Sequence, residues 1–195
     1  FIEWVAQQPW CNGKVGMGGN SAVAMTQWRI AAQQPPHLCC IAPWEGTSDI
    51  YRESMFEGGV PAVSFNEFIV GSVTSENMVD DLVAMAQRSP LMNPYWEDKI
   101  PDFSRITIPC YCTACWNHFH LRGAFQGFRR IKSKKKWMRA HREFEWPDGY
   151  SHESIAELKL FFDRYLKDIH NCWESTPRVR LEVMDAKEFL YAKNR

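Results

Sequence analysis

A serine on a sharp corner is the first residue in this chain placed to do chemistry. Residues 14–28 read Lys-Val-Gly-Met-Gly-Gly-Asn-Ser-Ala-Val-Ala-Met-Thr-Gln-Trp. The stretch from Lys14 to Met17 predicts a short buried strand. Gly18, Gly19 and Asn20 tolerate unusual φ/ψ, and the run from Ala22 to Ala32 predicts a helix. A serine at such a strand–turn–helix corner is pushed off the top of the sheet, where its hydroxyl can meet a base. Val23 stands where the elbow pattern usually has its last glycine, and the small residue comes one later, at Ala24. Ser21 is therefore a candidate nucleophile, with a plain helix cap as its other reading. A serine hydroxyl is weak at neutral pH and needs a base, itself oriented by a third group.

A second constellation is Cys110-x-Cys112-x-x-Cys115-x-x-His118-x-His120. Thiolates and imidazoles are zinc ligands, but the spacing matches no standard finger or ribbon. Cys110 and Cys112 share one face of a strand and Cys115 falls on the other, so buried free thiols are the expected outcome. A third is the basic run Arg129-Arg-Ile-Lys-Ser-Lys-Lys-Lys136. It falls at a helix end, where cations complement the macrodipole, and reads as a solvated face rather than a nucleic-acid patch.

The elements that must hold these residues follow from periodicity and breakers. Phe1 to Gln8 has helical spacing and stops before Pro9. Gln33-Gln-Pro35-Pro36 closes the helix after Ser21, because a residue before proline is steered out of the α region. Leu38-Cys-Cys-Ile-Ala42 is an unbroken apolar run suited to a sheet covered on both faces, which completes a βαβ unit. Between Pro43 and Arg105 strand periodicity is lost. Val79, Leu82, Val83 and Ala86 share a helical face there, and the stretch reads as a lid inserted over the sheet's carboxyl edge. Ile106–Ala114 returns to strand, Leu121 to Phe128 to helix, and Lys136–Ala140 to strand. Ser154-x-x-Glu157 has capping-box form before an amphipathic helix. Arg178 to Val183 alternates cleanly and predicts a half-exposed strand opening a second, β-rich domain.

Composition bounds the rest. The 195 residues carry 23 Lys+Arg against 23 Asp+Glu, so no global charge points to nucleic acid or an acidic membrane. No apolar run is long enough to span a bilayer. Seven cysteines, an odd number with adjacent members, do not form a secreted disulfide framework and suit a reducing compartment such as the cytoplasm. The chain opens at Phe1 in what reads as mid-helix, and the expectation is that it is part of a longer protein.

Several of these stretches resemble one family. Trp4-Val-Ala-Gln-Gln-Pro-Trp10, Asn12-Gly13-Lys-Val-Gly-Met17, Gly19-Asn-Ser21, Pro35-Pro36-His-Leu38 and Ile41-Ala-Pro-Trp-Glu-Gly46 resemble the CocE/NonD hydrolases, which include cocaine esterase and Xaa-Pro dipeptidyl-peptidase-like enzymes. Trp116 before Leu121-Arg-Gly123, then Lys136-Trp137, Phe161-Phe-Asp-Arg-Tyr-Leu-Lys167 and Pro177-Arg-Val-Arg180, keep the same family order.

The resemblance implies an α/β-hydrolase core, a mostly parallel sheet with helices on both faces. The core would run over residues 1–51 and 105–172, with a helical cap over 52–104 and a jelly-roll-like β domain beginning over 173–195. It implies an acyl-enzyme on Ser21, with the Ala22 N–H as one oxyanion donor and a tyrosine hydroxyl upstream of Phe1 as the other. Esters or small amides would be the substrates, with no metal or organic cofactor, no nucleic acid and no membrane partner. The family acid position falls at Trp116-Asn117-His118, where no carboxylate stands. The family histidine position falls near His141, the expected base. The acid stays open between Glu45, Asp49 and a weak substitute, Asn117. A hydrolase-fold protein that binds a ligand without turning it over is the alternative.

Overall fold

A computed structural model of the chain describes residues 1–72, 76 and 80–183, and the backbone of 192–193. The chain divides into two units, Phe1–Thr47 with Asp102–Arg195, and Ser48–Pro101.

The first unit is built on a sheet. Helix α1 (Ile2–Ala6) leads to strand β1 (Val15–Asn20), helix α2 (Ala22–Ala32) and strand β2 (Leu38–Trp44). In the second unit a short hairpin of β3 (Phe56–Glu57) and β4 (Val60–Pro61) precedes helices α3 (Val63–Ser72), α4 (Leu82–Arg88) and α5 (Pro94–Asp98). The first unit then resumes with β5 (Cys110–Cys115), α6 (Leu121–Arg130), β6 (Lys136–His141), α7 (Glu145–Gly149), α8 (His152–Leu166), β7 (Val179–Val183) and β8 (Ala192–Lys193). The sheet order is β1-β2-β5-β6-β7-β8; the pairs from β1 through β7 are parallel and β7–β8 is antiparallel. This is the mostly parallel, helix-covered sheet of the α/β-hydrolase class.

Burial explains why the strands read as apolar runs. All six residues of β5 are buried, as a central parallel strand between two helical layers requires. On one face Trp28 of α2 is buried, and a Cβ on Gly127 of α6 would meet its indole at 2.9 Å. On the other face Cys40, Ala42, Tyr111, Trp137, Phe161 and Trp173 form the core under α8. Gly16 and Gly18 of β1 let the Phe162 ring lie on the backbone, where Cβ atoms would meet it at 3.0 and 3.2 Å. The seven cysteines are free, with Cys110 and Cys112 sulfurs 3.4 Å apart on one face of β5.

In the second unit Met55, Phe56, Val83, Ala86 and Trp96 make a separate small core. Val79, expected on the helix there, lies outside the described residues.

The strand expected to open a second domain, β7, pairs in parallel with β6 within the first unit. Its alternation arises because Arg180 ion-pairs with Glu157 of α8 on a helix-covered face, so a charge sits where an apolar residue was expected. The cap of α8 is Ser151, whose Oγ accepts the Ser154 N–H at 3.1 Å, rather than Ser154. Ser154 Oγ instead accepts from Arg139, and Glu157 accepts from Tyr111 and Arg180. The basic run behaves as the helix-end reading requires: Lys136 Nζ donates to the Phe128 and Ile131 carbonyls at 2.7 and 3.0 Å.

Candidate active site

Four adjacent parallel strands end at one place. Ser21 follows β1, Glu45 follows β2, His118 and His120 follow β5, and Glu145 follows β6, which itself ends on His141. The carboxyl edge of an open parallel sheet is where side chains from different strands converge on a ligand.

The turn at Ser21 is strained. Its φ is 54° and ψ −122°, and Gly19 before it has φ 137°. A non-glycine residue held in such a region costs about 1–3 kcal/mol and persists only where its surroundings fix it. They do so here: the Ser21 N–H is shared between the Trp44 and Glu45 carbonyls at 3.1 and 2.9 Å. Glu45 is itself at φ 57°. Gly46 allows this loop to lie against α2, since a Cβ there would meet Ala24 Cβ at 2.8 Å. Ala22 opens α2, and N–H groups in a first helical turn have no intrahelical acceptor.

Ser21 Oγ lies 3.1 Å from His120 Nε2. His120 caps the start of α6 and is 3% exposed. Burial, with the neighbouring His118 second, pushes its pKa down to about 3, so the ring is neutral at pH 7. For the serine hydroxyl to donate, Nε2 must offer its lone pair and Nδ1 must carry the hydrogen. That Nδ1 is buried and has no hydrogen-bond partner among the described residues.

His141, expected as the base, faces elsewhere. Its Nδ1 lies 3.0 Å from the Glu143 carbonyl and its Nε2 2.7 Å from Glu45 Oε1, with Asp148 Oδ2 at 3.5 Å. A carbonyl only accepts, so Nδ1 carries hydrogen, and a proton is also needed between Nε2 and the carboxylate. The Nε2–Glu45 approach is out of line for a full hydrogen bond. Asp148 is fixed by a bidentate pair with Arg139.

The remaining expected residues separate. Glu45 is fully buried beside His141 and His118. Asp49, in the second unit, accepts from the Arg52 backbone N–H and forms an ion pair with its guanidinium at 2.7 Å. Asn117 is exposed, with its backbone N–H turned to Cys115 Sγ at 3.4 Å. His118 stands between two carboxylates, Nδ1 3.6 Å from Glu45 Oε2 and Nε2 3.6 Å from Glu145 Oε1. Sequence reasoning named His120 only as a possible metal ligand and missed Glu145. Both sit a few residues past the end of a parallel strand, and that position is the signal that points to them.

A strand–elbow–helix with a buried histidine on the serine places the first unit among the α/β-hydrolases. Comparison with known proteins narrows the class. A family model for X-Pro dipeptidyl-peptidase (S15 family) matches residues 1–80. A solved CocE/NonD family hydrolase from Staphylococcus aureus superposes with a TM-score of 0.91 at 38% identity, covering 99% of this chain and 35% of that one. Cocaine esterase of Rhodococcus sp. is 38% identical over 58 residues, 30% of this chain and 10% of that protein. The chain is therefore similar to the CocE/NonD hydrolases over nearly all of its length. It spans about a third of the length of the S. aureus structure and a tenth of cocaine esterase. An α-amino acid ester hydrolase, at 17% identity and a TM-score of 0.58, shares the fold.

Proposed function

We propose that this chain carries the nucleophile and base of a serine hydrolase that cleaves ester or small amide bonds through an acyl-enzyme. The observation that carries the reading is the 3.1 Å approach of His120 Nε2 to Ser21 Oγ on a strained elbow. Ser21 Oγ attacks the substrate carbonyl carbon while His120 Nε2 takes its proton. The tetrahedral oxyanion accepts from the Ala22 N–H at the N-terminus of α2. His120 then returns the proton to the leaving alkoxide or amine. Water, deprotonated by the same nitrogen, attacks the acyl carbon and releases Ser21. The relatives' names, cocaine esterase and X-Pro dipeptidyl-peptidase, support an ester or peptide substrate.

The base here is His120 rather than His141, and no carboxylate stands at its Nδ1 among the described residues. Removing a proper triad acid costs up to about four orders of magnitude in the serine-protease case. A slow enzyme is therefore expected. The same feature favours the second reading, a ligand-binding protein with the hydrolase fold and no turnover.

Labelling of the intact protein by a fluorophosphonate probe separates the two. Wild type takes one label, Ser21→Ala takes none, and His120→Gln labels far more slowly. No labelling of wild type, together with saturable and unhydrolysed ester binding, selects the binding protein. Labelling unchanged in Ser21→Ala overturns the assignment of the nucleophile.

A further inference from the structure

Beside the Ser21–His120 pair lies a second set of groups that the acyl-transfer steps do not use. Glu45, His118 and Glu145 follow β2, β5 and β6, three neighbouring strands of the sheet. One ligand atom from each lies within 4.8 Å of the other two. Their side chains are 0%, 5% and 6% exposed. The His118 nitrogens stand 3.6 Å from the two carboxylates, too far for hydrogen bonds. Glu45 is fully buried, and although His141 Nε2 stands 2.7 Å from Oε1, neither carboxylate oxygen has an aligned hydrogen-bond donor among the described residues. A buried carboxylate without donors is costly unless a cation meets it. Bonds of about 2.0–2.2 Å around a tetrahedral ion set ligand atoms roughly 3.3–3.6 Å apart, so the three ligand atoms, within 4.8 Å of one another, need only small side-chain shifts to close on an ion.

We propose that Glu45, His118 and Glu145 form a binding site for one divalent transition-metal ion of the zinc class. An imidazole with two carboxylates suits such an ion, whereas magnesium and calcium favour all-oxygen shells. The outer partners that orient metal ligands are also in place. Glu145 Oε2 accepts from Asn20 Nδ2 at 3.0 Å, and Glu45 Oε1 is engaged by His141. The ion binds through the remaining oxygens and one His118 nitrogen. It would add positive charge between two carboxylates, of which Glu45 also faces His141 and Glu145 also accepts from Asn20. The site does not depend on Ser21 acting as a nucleophile.

The test is titration of the chelator-stripped intact protein with Co²⁺, read by its visible d–d absorption, with Zn²⁺ as competitor. One ion per chain is expected, displaced by Zn²⁺. His118→Gln and Glu145→Gln should each weaken binding by about 10–100-fold. Ser21→Ala should bind as wild type, which keeps this result separate from that of the labelling experiment. Absence of stoichiometric binding, or equal binding in wild type and both variants, overturns the site. Where a variant misfolds, wild type decides alone: anomalous scattering at the zinc edge from Zn²⁺-soaked crystals places the ion between these three residues or refutes the proposal.

Discussion

Two buried histidines stand at the ends of neighbouring strands, and they have opposite surroundings. His141, the last residue of β6, is locked: a carbonyl holds one nitrogen, Glu45 and Asp148 face the other, and Arg139 fixes Asp148. His120, past the end of β5, has fewer polar partners: Nε2 meets Ser21, and Nδ1 has no hydrogen-bond partner among the described residues. A general base must hold a free lone pair within reach of the hydroxyl, which His120 Nε2 does and the His141 nitrogens do not. On the proposed reading, the difference gives the catalytic role to His120 and a structural one to His141.

That contrast breaks first on kinetics. Substituting His120 with Gln should lower kcat/KM on an activated ester by about 10³–10⁴-fold, the upper range for removing a general base, with little change in Tm. Equal loss of activity and of stability would mean that His120 is architectural too.

His141→Gln should give the reverse pattern. Removing one member of a buried charge pair costs roughly 3–5 kcal/mol, because the other is left uncompensated. Denaturant unfolding should show that loss, while any folded fraction still labels at Ser21. A variant as stable as wild type, but unlabelled, would exchange the roles of the two rings.

A smaller perturbation probes the locked side alone. Gly149 ends α7, next to Asp148, and a Cβ there would fall 1.7 Å from the Trp44 indole. Gly149→Ala should therefore destabilise by about 1–3 kcal/mol through overpacking. The Ser21 turn is held by the Trp44 backbone carbonyl rather than its indole, so the labelling rate of the folded protein should change little if only the indole moves.

The elbow was legible in the sequence because a strained turn demands small residues in fixed order, and Gly18-Gly-Asn-Ser21 supplies them. The parallel sheet was legible because buried strands such as Leu38–Ala42 need unbroken apolar runs. The base was not legible. The family pattern seats the histidine after β6, and His141 stands near that position, but which ring reaches Ser21 depends on how far the turn after β5 carries α6. Glu145 escaped for a similar reason, since nothing local separates a buried carboxylate from a helix-start glutamate. Arg180 misled in the other direction: its charge reads as exposure, but Glu157 satisfies it under α8.

The finest test of the contrast is the pH profile. Burial holds the His120 pKa near 3, below the ordinary value of about 6.5. The base form then persists as pH falls, so kcat/KM for an uncharged ester should not show a limb at 6.5. It should decline only at lower pH, nearer to the folded-state value. Stability should move differently in the same interval. Between the two values the unfolded chain binds a proton at this position and the folded chain does not, so stability rises with pH there. The contribution of His120 is complete above about 6.5 and fades as pH falls towards 3. His120→Gln removes both the limb and that slope, while His141→Gln should leave the limb where it was. A wild-type activity limb at 6.5 that survives in His141→Gln would show His120 to be solvated, and its bare Nδ1 would then be hydrated rather than dry.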